Sequence, residues 1–233
     1  MNLLGSLFQS SIGKKYLMAF TGLVLFGFVT GHLIGNLQVF LPPQKINAYG
    51  HMLESLGVAL WLIRGFLLAC LLVHVWVAIQ LTLENRAARP AGYAVDHVNR
   101  ATLASRVMAR TGLVVLAFVI FHLAHYTVRA GHPQWSEHTF ALADGLTKVR
   151  DIHTMMVQGF SNGLVSTFYI IAVGLLSYHL SHGLVSLVQT LGFKNEKWTL
   201  TLERISVAYC WFYFLGNAAI PLAVLGGLVK ANV

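Results

Sequence analysis

Five long stretches almost free of charge dominate this chain and leave it few ways to fold. They run over residues 16–41, 56–83, 111–128, 163–188 and 205–229, and each reaches about the 18 apolar residues that mark a membrane-spanning helix. At ~1.5 Å rise per residue, 20 residues cover ~30 Å, the thickness of the hydrocarbon layer. Barrel strands would alternate apolar and polar residues over about ten positions, whereas Leu, Val and Phe run continuously here. The pattern therefore predicts one all-α integral membrane domain over 1–233, a bundle of five transmembrane helices. Composition agrees: 56% of the residues are hydrophobic and only 10% charged, which excludes an ordinary soluble enzyme and a disordered chain.

The apolar run after Lys14 and Lys15 is too long for the core of a signal peptide, and no small-residue cleavage pattern precedes His32. It reads as a retained first helix. Lysine and arginine then set the expected orientation. With the N-terminus cytoplasmic, that side collects Lys14, Lys15, Arg86, Arg89, Arg100, Arg106, Arg110, Lys194, Lys197 and Arg204. The opposite side collects Lys45, Arg64, Arg129, Lys148, Arg150 and Lys230. Ten against six predicts a multi-pass membrane protein with its N-terminus cytoplasmic and its C-terminus outside. The net charge of +8 is then a topology signal that needs no nucleic acid, and it also suits an acidic soluble partner. Cys70 and Cys210 lie inside apolar runs, with no CxxC or haem-attachment pattern.

Histidine is the unusual residue. Four of the five spans carry it: His32 in the first, His74 in the second, His122 and His125 in the third, His179 and His182 in the fourth. Polar groups inside a bilayer are costly and mark function by default. No acidic residue lies deep in a span, which argues against a carboxylate-based proton pump. Neutral imidazole is a good haem-iron ligand, and four helices each offering one histidine near mid-depth is the set that two bis-histidine b haems need.

An internal repeat sorts the candidates. Thr21-Gly22 is followed by nine residues and then His32-Leu33, and Thr111-Gly112 by nine residues and then His122-Leu123. The first and third helices run the same way, so His32 and His122 are expected at one depth, as a pair. The glycines, ~15 Å along the helix from each histidine, are expected to admit a porphyrin edge or a close helix. His74 then pairs with His179 or His182, with one site outward and the other inward. His125 and His182 share a helix face with stronger candidates and suit secondary contacts.

These residues resemble the dihaem cytochrome b membrane-anchor subunit of succinate dehydrogenase and fumarate reductase, in its single-subunit five-helix form. Ser11-Ile12-Gly13-Lys14-Lys15, Thr21-Gly22, Gly31-His32-Leu33 with Gly35-Asn36-Leu37, Arg110-Thr111-Gly112 and Phe121-His122-Leu123 carry the likeness. Most specific is Tyr178-His179-Leu180-Ser181-His182-Gly183-Leu184, running on to Gln189-Thr190-Leu191-Gly192. The resemblance implies that His32 and His122 ligate an outer haem b, and His74 and His179 an inner one. The serine two on and glycine four on from His179 favour it over His182. It also implies a flavoprotein with covalent FAD and an iron–sulfur protein as cytoplasmic partners, and a membrane quinone as substrate, with menaquinone the expected species. Higher-order assembly of that heterotrimer is left open.

The chain itself has no nucleotide-binding glycine motif and no cysteine cluster, so dicarboxylate chemistry would fall to the partners. The resemblance makes Glu54, in His51-Met52-Leu53-Glu54, the expected proton relay at the outer quinone site, with His51 second; a solvated loop carboxylate is the plain alternative. Relatives carry a basic residue for a haem propionate where this chain has Gln189-Thr190, and Arg64 either serves a propionate or snorkels to the interface. Two rivals stand beside this reading. One is the dihaem anchor of a nitrate reductase or formate dehydrogenase, which would change the partner; the other is a haem-free transporter with a histidine-lined path, although Pro221 is the only mid-span proline.

Overall fold

The computed structural model describes residues 3–88 and 103–231, and 82% of it is helical. A short helix α1 (Leu3–Gln9) leads into α2 (Ser11–Asn36), whose first turn is closed by Ser10 Oγ accepting from the Gly13 amide at 3.0 Å. Such a cap stabilises a helix by about 1 kcal/mol. Helices α4 (Val58–Ala87), α5 (Leu103–His122), α7 (Gly163–Thr190) and α8 (Glu196–Leu225) complete the long set. Asn162 caps α7 by accepting from the Leu164 amide at 2.9 Å, and Asn195 caps α8 by accepting from Trp198 at 3.1 Å.

Five helical segments are long and apolar enough to cross a membrane: Ser11–Phe40, Val58–Ala87, Arg106–Val128, Gly163–Thr190 and Glu196–Leu225. Their outward faces are what water would not tolerate. Trp61, Leu62 and Leu72 on α4 are 68%, 70% and 61% exposed, in a stripe of apolar side chains far larger than a water-soluble monomer presents. That fits a multi-pass membrane protein. α7 is the hub, packed against α8, α5 and α2, while α4 lies on α2 and touches α5. At the end that holds the N-terminus, Lys14 of α2 pairs with Glu84 of α4, and Ser11 Oγ donates to the same carboxylate at 3.3 Å. Arg89 and Arg100, counted above for orientation, lie outside the described residues.

The other end of the bundle carries a cap that hydropathy does not announce. It consists of α3 (Pro43–Ser55), a hairpin of β1 (Thr139–Ala141) and β2 (Lys148–Arg150), and α6 (Ile152–Phe160). Asn47 of α3 is fully buried and bridges to α6: its Oδ1 accepts from the amides of Ile152 at 2.8 Å and His153 at 3.0 Å, and its Nδ2 donates to Asp151 Oδ1 at 3.1 Å. Asp151 in turn accepts from the Thr154 amide and hydroxyl. One side chain thus satisfies two amides at the start of a helix, groups that would otherwise be stranded. Gly50 makes the approach feasible, since a β-carbon there would stand 2.0 Å from Ile152 Cδ1. Burial pushes the His153 imidazole below its ordinary pKa, with the nearby Asp151 carboxylate opposing the shift, so this ring sits neutral in the cap. A buried apolar cluster, including Leu33, Ile46, Phe118, Met156, Tyr169 and Ile220, lies where the cap meets α2, α5, α7 and α8.

Candidate functional site

Polar side chains within the spans gather at two levels. Nearer the N-terminal end, Thr21 Oγ1 of α2 is 3.1 Å from His74 Nδ1 of α4, and Thr111 Oγ1 of α5 is 3.3 Å from His179 Nδ1 of α7. Both threonines are buried. The glycine after each threonine lies against the same imidazole. A β-carbon on Gly22 would stand 3.4 Å from His74 Cε1, and one on Gly112 would stand 3.4 Å from His179 Cε1. Anything beyond a methyl would enter the imidazole. His74 and His179 also lie within electrostatic reach of one another.

At the capped end, His32 of α2 and His122, the last residue of α5, face each other with ring centroids 5.7 Å apart and planes at 84°. The Phe28 ring stacks on His32 at 5.5 Å. A single hydroxyl serves the third helix: Tyr169 OH of α7 is 3.3 Å from His122 Nδ1 and 3.0 Å from His125 Nδ1. A phenol has one proton to give, so it donates to one imidazole and accepts from the other. α5 passes into a π-turn over Leu123–Val128, a widened turn often found at functional positions. His125 sits buried in it among Phe121, Tyr126, His132 and Trp135.

The repeat sets the distance between levels. Thr21 and His32 are eleven residues apart on α2, as are Thr111 and His122 on α5, which is ~17 Å of helix. Each repeat copy therefore contributes to both levels, its threonine and glycine touching one histidine pair and its own histidine belonging to the other. The close approach of His32 and His122 agrees with the equal spacing. The glycines lie against imidazoles of neighbouring helices.

The remaining candidates are scattered. His182 is half-buried on α7, near Lys194. Glu54 is exposed and its Oε1 is 3.3 Å from Arg150 Nη1, an ion pair that ties α3 to β2; His51 is exposed on the same helix. The Arg64 guanidinium lies 5.0 Å over the Trp61 ring of its own helix, and Cys70 and Cys210 are free and buried. Tyr169 had no signal in the sequence beyond being a tyrosine inside an apolar run, where a buried hydroxyl needs a partner.

Among the described residues no three His, Cys, Asp or Glu side chains converge as a bare metal ion would require. Axial ligation of a haem asks only for two imidazoles. Nitrogens ~2 Å from one metal stand ~4 Å apart, which sets the ring centres at about 6 Å, and His32 and His122 meet that spacing. On α2 the exposed Gly27 and Gly31, and at the other level Gly183 four residues after His179, border open space, with nothing within 4 Å of an added β-carbon. The residues present fit the group. Comparison with family models, with curated proteins and with solved structures found no match.

Proposed function

We propose that the chain is the cytochrome b membrane anchor of a succinate:quinone oxidoreductase, a five-helix bundle of the inner membrane with its N-terminus cytoplasmic and its cap outside. The observation that carries this reading is the gathering of four histidines from four helices at two levels about 17 Å apart along α2 and α5, His32 and His122 with their rings in contact and His74 and His179 within electrostatic reach of each other. Bound between those imidazoles, two b haems would supply one-electron transfer between the two faces of the membrane. Here His32 and His122 hold the outer group and His74 and His179 the inner one. The chain's own task is to bind and orient them.

A flavoprotein with FAD and an iron–sulfur protein dock on the cytoplasmic side, where Arg106 and Arg110 stand exposed on the first part of α5. Quinone reacts at the capped end, and Glu54 passes protons there. Glu54→Gln should slow quinone turnover severalfold while changing stability by no more than about 1 kcal/mol, since exposed ion pairs are worth little; unchanged quinone kinetics would remove Glu54 from the pathway. The reading as a whole is tested by purifying the tagged chain from its native membrane. Co-purification of a covalent flavin and haem reduction by succinate are expected. Haem reduced by formate in a flavin-free complex would assign the chain to another dihaem quinone cytochrome.

A further inference from the structure

The two threonines of the repeat do more than pack. Each hydroxyl already has an acceptor on its own helix: Thr21 Oγ1 donates to the Leu17 carbonyl at 2.7 Å, and Thr111 Oγ1 to the Met108 carbonyl at 3.0 Å. A hydroxyl has one proton. With that proton turned back to the helix, only oxygen lone pairs remain to face His74 and His179, and each Nδ1 must be the donor. Both contacts put the proton on Nδ1. A neutral imidazole protonated there has its free lone pair on Nε2.

We infer that Thr21 and Thr111 are positioning residues that lock His74 and His179 in the Nδ1–H tautomer, aim both Nε2 lone pairs into one site, and strengthen them as donors to a haem iron. The inference rests on the dihaem reading. A hydrogen bond from the far side of a ligating imidazole raises its basicity, and a more basic pair of ligands favours the oxidised metal. The two threonines act alike, because the Thr-Gly dipeptides, the Nδ1 contacts at 3.1 and 3.3 Å and the glycine approaches at 3.4 Å are near copies of each other. The capped level has no such pair, since Tyr169 shares its hydroxyl between His122 and His125.

Redox titration of the purified complex carrying Thr21→Val, Thr111→Val, Thr21→Ser or Thr111→Ser tests this, reading each haem separately and identifying the inner one as the signal lost in His74→Leu. Valine keeps the shape and removes the oxygen. Each valine variant should raise the inner midpoint by the equivalent of up to about tenfold in the oxidised-to-reduced ratio, which is ~59 mV for one electron, and leave the outer haem unmoved. The serine variants should behave as wild type. Should a valine variant lose the inner haem outright, retention of haem and potential by its serine counterpart still supports the hydroxyl; loss in both would show a packing role and overturn the inference. Full haem with unshifted potentials in the valine variants would also overturn it, and would leave the dihaem reading standing. A wild-type complex without haem would sink both.

Discussion

The two histidine levels are built by different means. At the level nearer the N-terminal end, proposed as the inner one, each imidazole contacts a threonine and the glycine after it on a neighbouring helix, and the two halves are near duplicates. At the capped level the halves differ. His122 leans on Tyr169, which also serves His125 in the π-turn, while the exposed His32 stacks on Phe28 of its own helix. One contact repeated between two pairs of helices gives two equivalent imidazoles; unlike contacts from α7, the π-turn and the cap give two unequal ones. The inner site is thus set by short segments of α2 and α5, and the outer site depends on how the cap and the π-turn pack.

The largest effects should come from the imidazoles themselves. Leucine in place of any one of His32, His74, His122 or His179 is expected to halve the haem per chain, whereas His125→Leu or His182→Leu should retain most of it. Loss of haem with His182→Leu but not His179→Leu would re-pair the inner level. Next in size is Tyr169→Phe, which strips the hydroxyl from His122 and leaves buried His125 without that partner, a cost of about 1–3 kcal/mol. It should shift the outer midpoint and spare the inner one, and an equal shift at both would show that the levels are not independently built. Similar in stability cost, but with the smallest effect on the histidines, is Asn47→Ala, which strands the Ile152 and His153 amides and should destabilise the cap by about 1–3 kcal/mol. Hydrogen exchange of α6 amides should quicken in this variant, with those of α7 around His179 unchanged.

What could be read from the sequence follows the same division. Five helices are legible because lipid demands ~20 apolar residues in a row, and their central portions coincide with the observed spans. The ends are less legible. α2 begins at Ser11 because Ser10 caps it and Lys14 finds Glu84, and α8 begins at Glu196 because Asn195 caps a first stretch too polar to read as membrane. The Thr-Gly repeat was visible as equal spacing, and equal spacing correctly implied that His32 and His122 meet. It did not show that Thr21 and Thr111 touch the other pair, since that depends on which helices neighbour α2 and α5. The cap was hidden for the same reason: α3, the hairpin and α6 are short, and what joins them is a contact between Asn47 and residues 151–153, about a hundred positions away. Tyr169 and the π-turn are likewise tertiary facts.

The central claim is that four histidines on four helices hold two b haems. Pyridine haemochrome quantification with a reduced-minus-oxidised spectrum, on the detergent-purified complex, measures it directly. The account predicts two b haems per copy of this chain, falling to one in each of the His32, His74, His122 and His179 leucine variants. A colourless wild-type protein, or haem that survives those substitutions, would contradict it.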